Sequence, residues 1–450
     1  MNQEQRLLSG LGKSAVISPC VVPDRVEWRR TSTQIFVLLI VIAFALPRLA
    51  LLMTASGMPL SDAEWYFDRA VSIAHGNGYA FDGIPTAFWP IGYPGFLAIL
   101  FSVFPNSPST GIFANFFLSA ITIVCSFGIY RQLGSSNTLA LFGTLVLTLF
   151  PNFIFYQNLL MSEILMMTLL SLSLFGLLTS TRCYQYLSTG FCFGLTALVK
   201  SQVIFLPVFV LIYDLFKPAG RRAVAYNYLL LAIGMLIIIL PWTMRNYFVF
   251  ERFILVQSNG GYNLLMGNND KNRWGGSTGS GSEFTAMFPG VIENQPFSDE
   301  MGMNDRASSM ALRFIAANPV EVIKRVPYKL YRFFRHDPQG SGALLRSNAA
   351  AGKNLPWLSS IFELSFWYYT TVMGLAMLSL IVFILGPLRN RAHLVLVSTI
   401  LYFALISAVF FGEGRFHIPL LPAFVGCMLV TLHTVKATFW PVMWRKRRQR

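Results

Sequence analysis

The sequence predicts an all-α polytopic membrane protein. It should have about ten transmembrane helices, interfacial helices in the first outer loop, and a mixed, partly irregular outer region. Three observations predict this. Of 450 residues, 54% are hydrophobic and 12% charged, about half the roughly 25% charged residues of soluble globular domains. The mean hydropathy is +0.54. Apolar runs near the 20 or so residues that a spanning helix needs recur along the chain. Soluble enzymes, nucleic-acid binders and disordered scaffolds are thereby excluded. The net charge of +15 reads as basic cytoplasmic loops, not as an affinity for nucleic acid. Cys20, Cys125, Cys183, Cys192 and Cys427 show no CxxC or Cys/His spacing, so neither a zinc site nor a disulfide framework follows.

The first span runs from Gln34 to Met53, entered from Arg29-Arg30. It is too long and too late for a signal peptide. Further runs lie at 110–130, 138–156, 160–180, 186–216, 224–244, 364–386, 392–411 and 417–439. The run 186–216 is too long for one helix and is broken at Lys200-Ser201, which predicts a tight hairpin of two short helices. The stretch Ile91 to Phe104, closed by Pro105, is short for a span and predicts an interfacial or re-entrant helix. If it does not cross, Arg29-Arg30, Arg131, Arg182, Lys217 with Arg221-Arg222, Arg389 with Arg391, and Arg445-Lys446-Arg447-Arg448 all fall on the cytoplasmic side. Both termini are then inside. The expected organisation is a disordered cytoplasmic segment (1–32), a transmembrane module (33–244) with an acidic first outer loop (55–109), an extracytoplasmic loop domain (245–363), C-terminal transmembrane helices (364–439) and a basic tail (440–450). In the loop domain, the Gly-, Ser- and Asn-rich first half (Gly260-Gly261, Gly267 to Asn269, Gly275 to Gly281) predicts irregular chain. Asn304 to Ala317 and Pro319 to Phe334 predict helices.

In the first outer loop, Ser61 or Asp62 can cap a helix through Trp65, Arg69, Ile73 and His75, ended by Gly76 and Gly78. Asp62 is then either a first-turn acid favoured by the helix dipole or a general base whose pKa rises by partial desolvation. Glu64 lies two residues on and does not share its helix face. Glu163 opens a helix at the outer end of a run, where it either caps or faces a cavity. Lys200, at the tip of the hairpin, either snorkels or pairs with a phosphate. Arg415 is the lone base of the outer turn 412–416; it either pairs locally with Glu413 or binds a leaving phosphate through its bidentate donors. Arg245, after Pro241-Trp242, ends a span. Pro319 to Phe334 interleaves Lys324, Arg325, Lys329, Arg332 and Arg335 with apolar residues, a pattern suited to docking on a membrane surface. The five histidines are scattered and support neither a metal site nor a triad.

Several stretches taken together resemble the GT-C glycosyltransferases: the protein O-mannosyltransferases, the lipid A aminoarabinose transferases and the bacterial lipopolysaccharide sugar transferases. These are Asp62 with Tyr66 and Ala70, HGNGY (75–79), FWPIGYPGFLAIL (88–100), PNFIFYQNLLMSE (151–163), GLTALVKSQ (194–202), PWTMRNYFVFERFILVQSNGGYNLLMGNN (241–269) and GRFHIPLLP (414–422). Ile91 stands where relatives carry a proline. The resemblance implies an inverting transfer from a polyprenyl-phosphate sugar donor to a lipid, glycan or protein acceptor. Such a protein would sit among the membrane lipids of a bacterial inner or plasma membrane, with its active site on the extracytoplasmic face. It assigns Asp62 as general base, Arg415 and Lys200 to the donor phosphate, and Glu64, Glu163, Arg245 and Tyr66 to the cavity. Some relatives use a divalent metal, which here would sit on Asp62 and Glu64 if anywhere; no other cofactor is implied. The competing expectations are a transporter or lipid-glycan flippase without transferase chemistry, and a non-catalytic assembly factor that needs none of these residues.

Overall fold

The computed structural model describes residues 30–54, 57–216, 220–277, 282–289, 291, 299–385 and 390–447. The expected disordered segment before Arg30, Lys217, Arg389, Arg448 and the end of the glycine-serine run (278–281) lie outside the described residues.

The chain opens with α1 (Arg30–Thr54) and the short α2 (Asp62–Ala74), followed by the hairpin β1 (Ala80–Phe81) and β2 (Ile84–Pro85). The strands are antiparallel, with Ala80 opposite Pro85 and Phe81 opposite Ile84. Asp82 (φ 48) and Gly83 (φ 79) make the turn, the left-handed pair that a two-residue hairpin requires. Next come α3 (Gly92–Phe101), α4 (Pro108–Gln132), α5 (Asn137–Thr148), α6 (Pro151–Gln157), α7 (Ser162–Thr179) and α8 (Cys183–Val199). A 3-10 turn at Ser201–Val203 leads to α9 (Leu206–Leu215) and then α10 (Arg221–Phe250). The polar region carries α11 (Gly260–Gly267), α12 (Ser282–Met287), α13 (Glu300–Ala317), α14 (Pro319–Phe334) and α15 (Gln339–Ala350). Finally come α16 (Trp357–Leu385), α17 (Arg391–Val409), a 3-10 turn at Gly414–Leu420 and α18 (Leu421–Arg447).

Among the described residues, 7 helices are long and apolar enough to cross a membrane, or 8 if α5 and α6, bent by 53° at Pro151, form one span. The expected ten counted the hairpin 186–216 as two crossings. It forms α8 and α9 as expected, but these have only 17 and 10 residues. Helix α3 has 10 residues, below spanning length. The spans are held by close backbone approach: a Cβ on Gly190 of α8 would lie 2.1 Å from the Leu231 carbonyl oxygen of α10, the small-residue contact by which membrane helices associate. One end of the bundle is locked by buried Asp214, which accepts from Arg391 at 2.9 Å and from the Tyr228 hydroxyl at 3.0 Å. Arg131, Arg182 and Arg221 sit in helix-end positions at this same end. The loop after α1, α2, α3 and the polar region gather at the other end, where Met58 N donates to the Ser347 carbonyl at 3.1 Å.

The polar region is more ordered than its composition predicts. Helix α11 stands inside the expected irregular half, and α15 was not foreseen. A separate apolar cluster forms around Leu265, Phe284, Met303 and Ala307, and Phe88 of the first loop joins it. Helix α14 forms over the expected residues, but two of its cations, Arg325 and Lys329, are buried, while Lys324 is exposed. Lys329 is fully buried, and its Nζ donates to Asn268 Oδ1 at 2.9 Å and to the Val409 carbonyl at 3.2 Å. Arg325 Nη1 donates to the Asn269 carbonyl at 2.6 Å, while Ile323 and Tyr331 are exposed. Buried carbonyls from the loop after α11 and from the end of α17 need donors, and α14 supplies them.

Candidate functional site

The site begins at the N-terminus of α2. Ser61 occupies the position before the helix, but at φ 56 and ψ −120 its hydroxyl makes no capping bond, unlike the expected cap. The hydroxyl instead donates to Asp62 Oδ1 at 3.4 Å. The expected stop is present: Gly76 and Gly78 follow α2 at φ 81 and φ 73. Asp62 and Tyr66 lie one turn apart and so share a helix face, while Glu64 is exposed on another.

Arg415 comes from the turn Gly414–Leu420, packed against the end of α14, where His417 Nδ1 meets the Phe333 carbonyl at 2.7 Å. The folding of the chain brings Arg415 Nη1 to 2.6 Å from Asp62 Oδ2. The local partner is present too, with Arg415 Nε 3.8 Å from Glu413 Oε2. Glu413 itself accepts from Ser277 Oγ at 2.7 Å and from Gln339 Nε2 at 2.9 Å. Thus a loop and α15, both from the polar region, hold the arm beside Arg415. Among the described residues, Arg415 Nε is buried without a hydrogen-bond partner, and Nη2 makes no hydrogen bond.

Glu163, in the first turn of α7, is buried, and Lys200, at the end of α8, approaches its Oε1 to 4.0 Å. The second oxygen, Oε2, is buried and unpartnered among the described residues. Tyr66 Oη lies 3.4 Å from Ser162 Oγ, beside Glu163. Asp62, Tyr66, Glu163, Lys200 and Arg415 therefore form one cluster from four separated stretches of chain. Burial pushes Lys200 down, only partly offset by the Glu163 charge. Burial alone would raise Asp62, but the charge and hydrogen bond of Arg415, with help from Lys200 and Ser61, hold it below the usual carboxylate range. The expected upward shift is therefore reversed, because desolvation acts here on an acid that already has a cation.

Two expected members stand elsewhere. Arg245 donates through Nη1 to the Thr86 carbonyl (2.9 Å) and through Nη2 to the Tyr79 carbonyl (3.0 Å), so it braces the hairpin region. Glu64 makes no contact with the cluster. Among the described residues, no group of three or more His, Cys, Asp or Glu could hold a metal ion. Asp62 is engaged by Arg415 and Glu64 is exposed on a different face of α2, so the two carboxylates on which a metal would sit, if anywhere, do not face each other.

Sequence reasoning missed two acids. Asp337 is buried and accepts from Tyr156 Oη (2.9 Å), Gln339 N (3.0 Å) and Gly340 N (3.3 Å), tying α6 to the start of α15. Its Asp-Pro-Gln-Gly context was a readable helix-start signal. Glu300 is buried and accepts from Thr86 Oγ1 (2.5 Å), Ala87 N (3.0 Å) and Ser258 Oγ. It fastens the first loop to the polar region, and no local pattern marks it.

Residues 89–244 match the family described as dolichyl-phosphate-mannose-protein mannosyltransferase. The match contains Glu163 and Lys200 but neither Asp62 nor Arg415. No curated protein matches the sequence. Among solved structures, the oligosaccharyltransferase of Archaeoglobus fulgidus, in complex with Zn and sulfate, is similar at 13% identity and TM-score 0.54, over 90% of this chain and 49% of that one. The same enzyme tethered to an acceptor peptide gives 11% identity and TM-score 0.51, over 92% and 50%. The chain thus spans about half the length of that relative. ArnT from Cupriavidus metallidurans gives 14% identity and TM-score 0.44, over 91% and 80%. This chain has the fold of the GT-C membrane transferases, and its residues 89–244 carry the sequence pattern of the dolichyl-phosphate-mannose-protein mannosyltransferase family.

Proposed function

We propose that this protein is an inverting glycosyltransferase that moves a sugar from a polyprenyl-phosphate donor to an acceptor hydroxyl. The observation that carries the reading is the Asp62–Arg415 pair at 2.6 Å, in which the guanidinium keeps donors unused. A base and an anion-binding group are thereby within one sugar's reach of each other. The family matched by residues 89–244 is named for a prenyl-phosphate sugar, which agrees with this chemistry.

In the proposed reaction the donor phosphate takes the free face of Arg415 and the charge of Lys200. A guanidinium suits this role because its donors form a rigid fork and its charge is permanent. The acceptor oxygen forms a bond to the anomeric carbon as the bond from that carbon to the phosphate oxygen breaks. The electron pair leaves with the phosphate, where Arg415 and Lys200 stabilise the developing charge. Asp62 takes the acceptor proton. A single displacement inverts the anomeric centre, whereas retention commonly uses a second carboxylate as nucleophile. In the resting protein base and cation neutralise each other. When phosphate draws on Arg415, Asp62 loses part of the interaction that depresses its pKa and becomes a stronger base, so donor binding arms the catalyst.

Arg131, Arg182, Arg221 and Arg391 lie at the end of the bundle away from the site. By the positive-inside rule this distribution supports a site on the extracytoplasmic face, with α1 entered from and α18 ending on the cytoplasmic side. The test is Asp62→Asn, which should abolish transfer from a polyprenyl-phosphate sugar while expression and membrane insertion persist. Normal turnover by this variant would remove Asp62 as the base.

A further inference from the structure

Resting on the transferase reading, we propose that Tyr262 binds the acceptor and that the acceptor group is a sugar ring, with the Tyr262 hydroxyl and Asp62 reaching the same ring. Tyr262 stands on α11, in the polar region. Its ring meets Phe284 at 4.2 Å and Phe88 of the first loop at 5.6 Å, edge-on to the latter. The aromatic series continues from Phe88 to Trp89 at 6.0 Å and from Trp89 to Tyr66 at 5.5 Å. Tyr66 shares the helix face of Asp62. A wall of rings therefore runs from the base to α11. Phe88, Phe284 and Tyr66 are buried within it, whereas Trp89 and Tyr262 keep part of their surface open.

The Tyr262 hydroxyl has no hydrogen-bond partner among the described residues. It lies within reach of the Asp62 charge, and burial first and that charge second push its pKa up to about 12, so it remains a donor throughout the working range. An open aromatic surface and an unused donor, with a carboxylate whose charge reaches that donor, suit a sugar. Its C–H face lies on the ring, one hydroxyl accepts from Tyr262, and a neighbouring hydroxyl gives its proton to Asp62. A serine or threonine side chain on a peptide has no ring to cover this wall.

The test offers a polyprenyl-phosphate sugar to the full-length protein with three acceptors: a free oligosaccharide, a lipid-linked sugar and a serine/threonine peptide. The wild type should use sugar acceptors and leave the peptide unmodified; the first two arms tell a soluble from a lipid-borne ring. Tyr262→Phe should lower kcat/KM for the sugar acceptor about tenfold, the loss expected for one hydrogen bond. Tyr262→Ala should lower it further, and thermal stabilisation by polyprenyl phosphate should be unchanged in both variants. Transfer by Tyr262→Phe at the wild-type rate, or preferential use of the peptide, overturns the acceptor assignment while the transferase reading stands. A wild type that neither transfers to any acceptor nor is stabilised by polyprenyl phosphate overturns both.

Discussion

Asp62 shows why a residue's neighbours decide its chemistry. Alone in its loop, burial would raise its pKa; beside Arg415 it lies below the ordinary carboxylate range. The sign of the pH dependence follows. The pair contributes stability above the usual carboxylate range, and that contribution fades as pH falls through the depressed value. In the proposed reaction the base must be ionised, so the acid limb of kcat/KM, which reports the free enzyme, should lie below the usual carboxylate range. The limb of kcat, which reports the substrate complex, should lie higher, because phosphate then competes for Arg415. Paired pH profiles check this, and coincident limbs would contradict the arming step. Arg415→Gln should cut transfer by about a hundredfold to a thousandfold, as the loss of one transition-state donor does, and should move the kcat/KM limb upward.

Among the elements, the first loop after β2 and the segment entering α11 come from distant parts of the chain and are joined by one buried acid. Glu300, at the start of α13, accepts from Thr86, Ala87 and Ser258. Removing it leaves three buried donors without an acceptor. Glu300→Ala should therefore cost on the order of 3 kcal/mol, given the strength of hydrogen bonds to charged groups, as read by thermal unfolding. It should also expose the 79–89 loop to protease and lower transfer, although Glu300 touches none of the cluster. A variant as stable as wild type would show that the first loop is held to the polar region by other contacts. Helix α14 teaches a related lesson. Its basic pattern suggested headgroup contact, yet Lys329 is buried against backbone carbonyls, and burial lowers its pKa to about 8.

Across the whole molecule the site lies at one end of the bundle and the arginine-bearing turns at the other. This makes sidedness measurable. Cys183 is free and exposed at the start of α8, at the end away from the site. In intact cells a membrane-impermeant thiol reagent should leave Cys183 unlabelled and should label Asp62→Cys; inverted vesicles should show the reverse. Labelling of position 62 from both sides would favour alternating access, and hence transport.

Hydrophobic runs and the spacing of basic residues read out the membrane class, the positions of the main spans and the short helices flanking Lys200, because a lipid solvent imposes its length and polarity rules on every segment independently. The Asp62 and Arg415 candidates were also legible, Asp62 from the resemblance of its loop and Arg415 as the lone base of its outer turn. Tertiary structure alone decided that these two meet, that Glu64 and Arg245 stand apart, and that Asp337 and Glu300 are buried with several donors each. Such contacts join residues hundreds of positions apart, and no local periodicity encodes which buried donor will face which buried acceptor until the helices have packed.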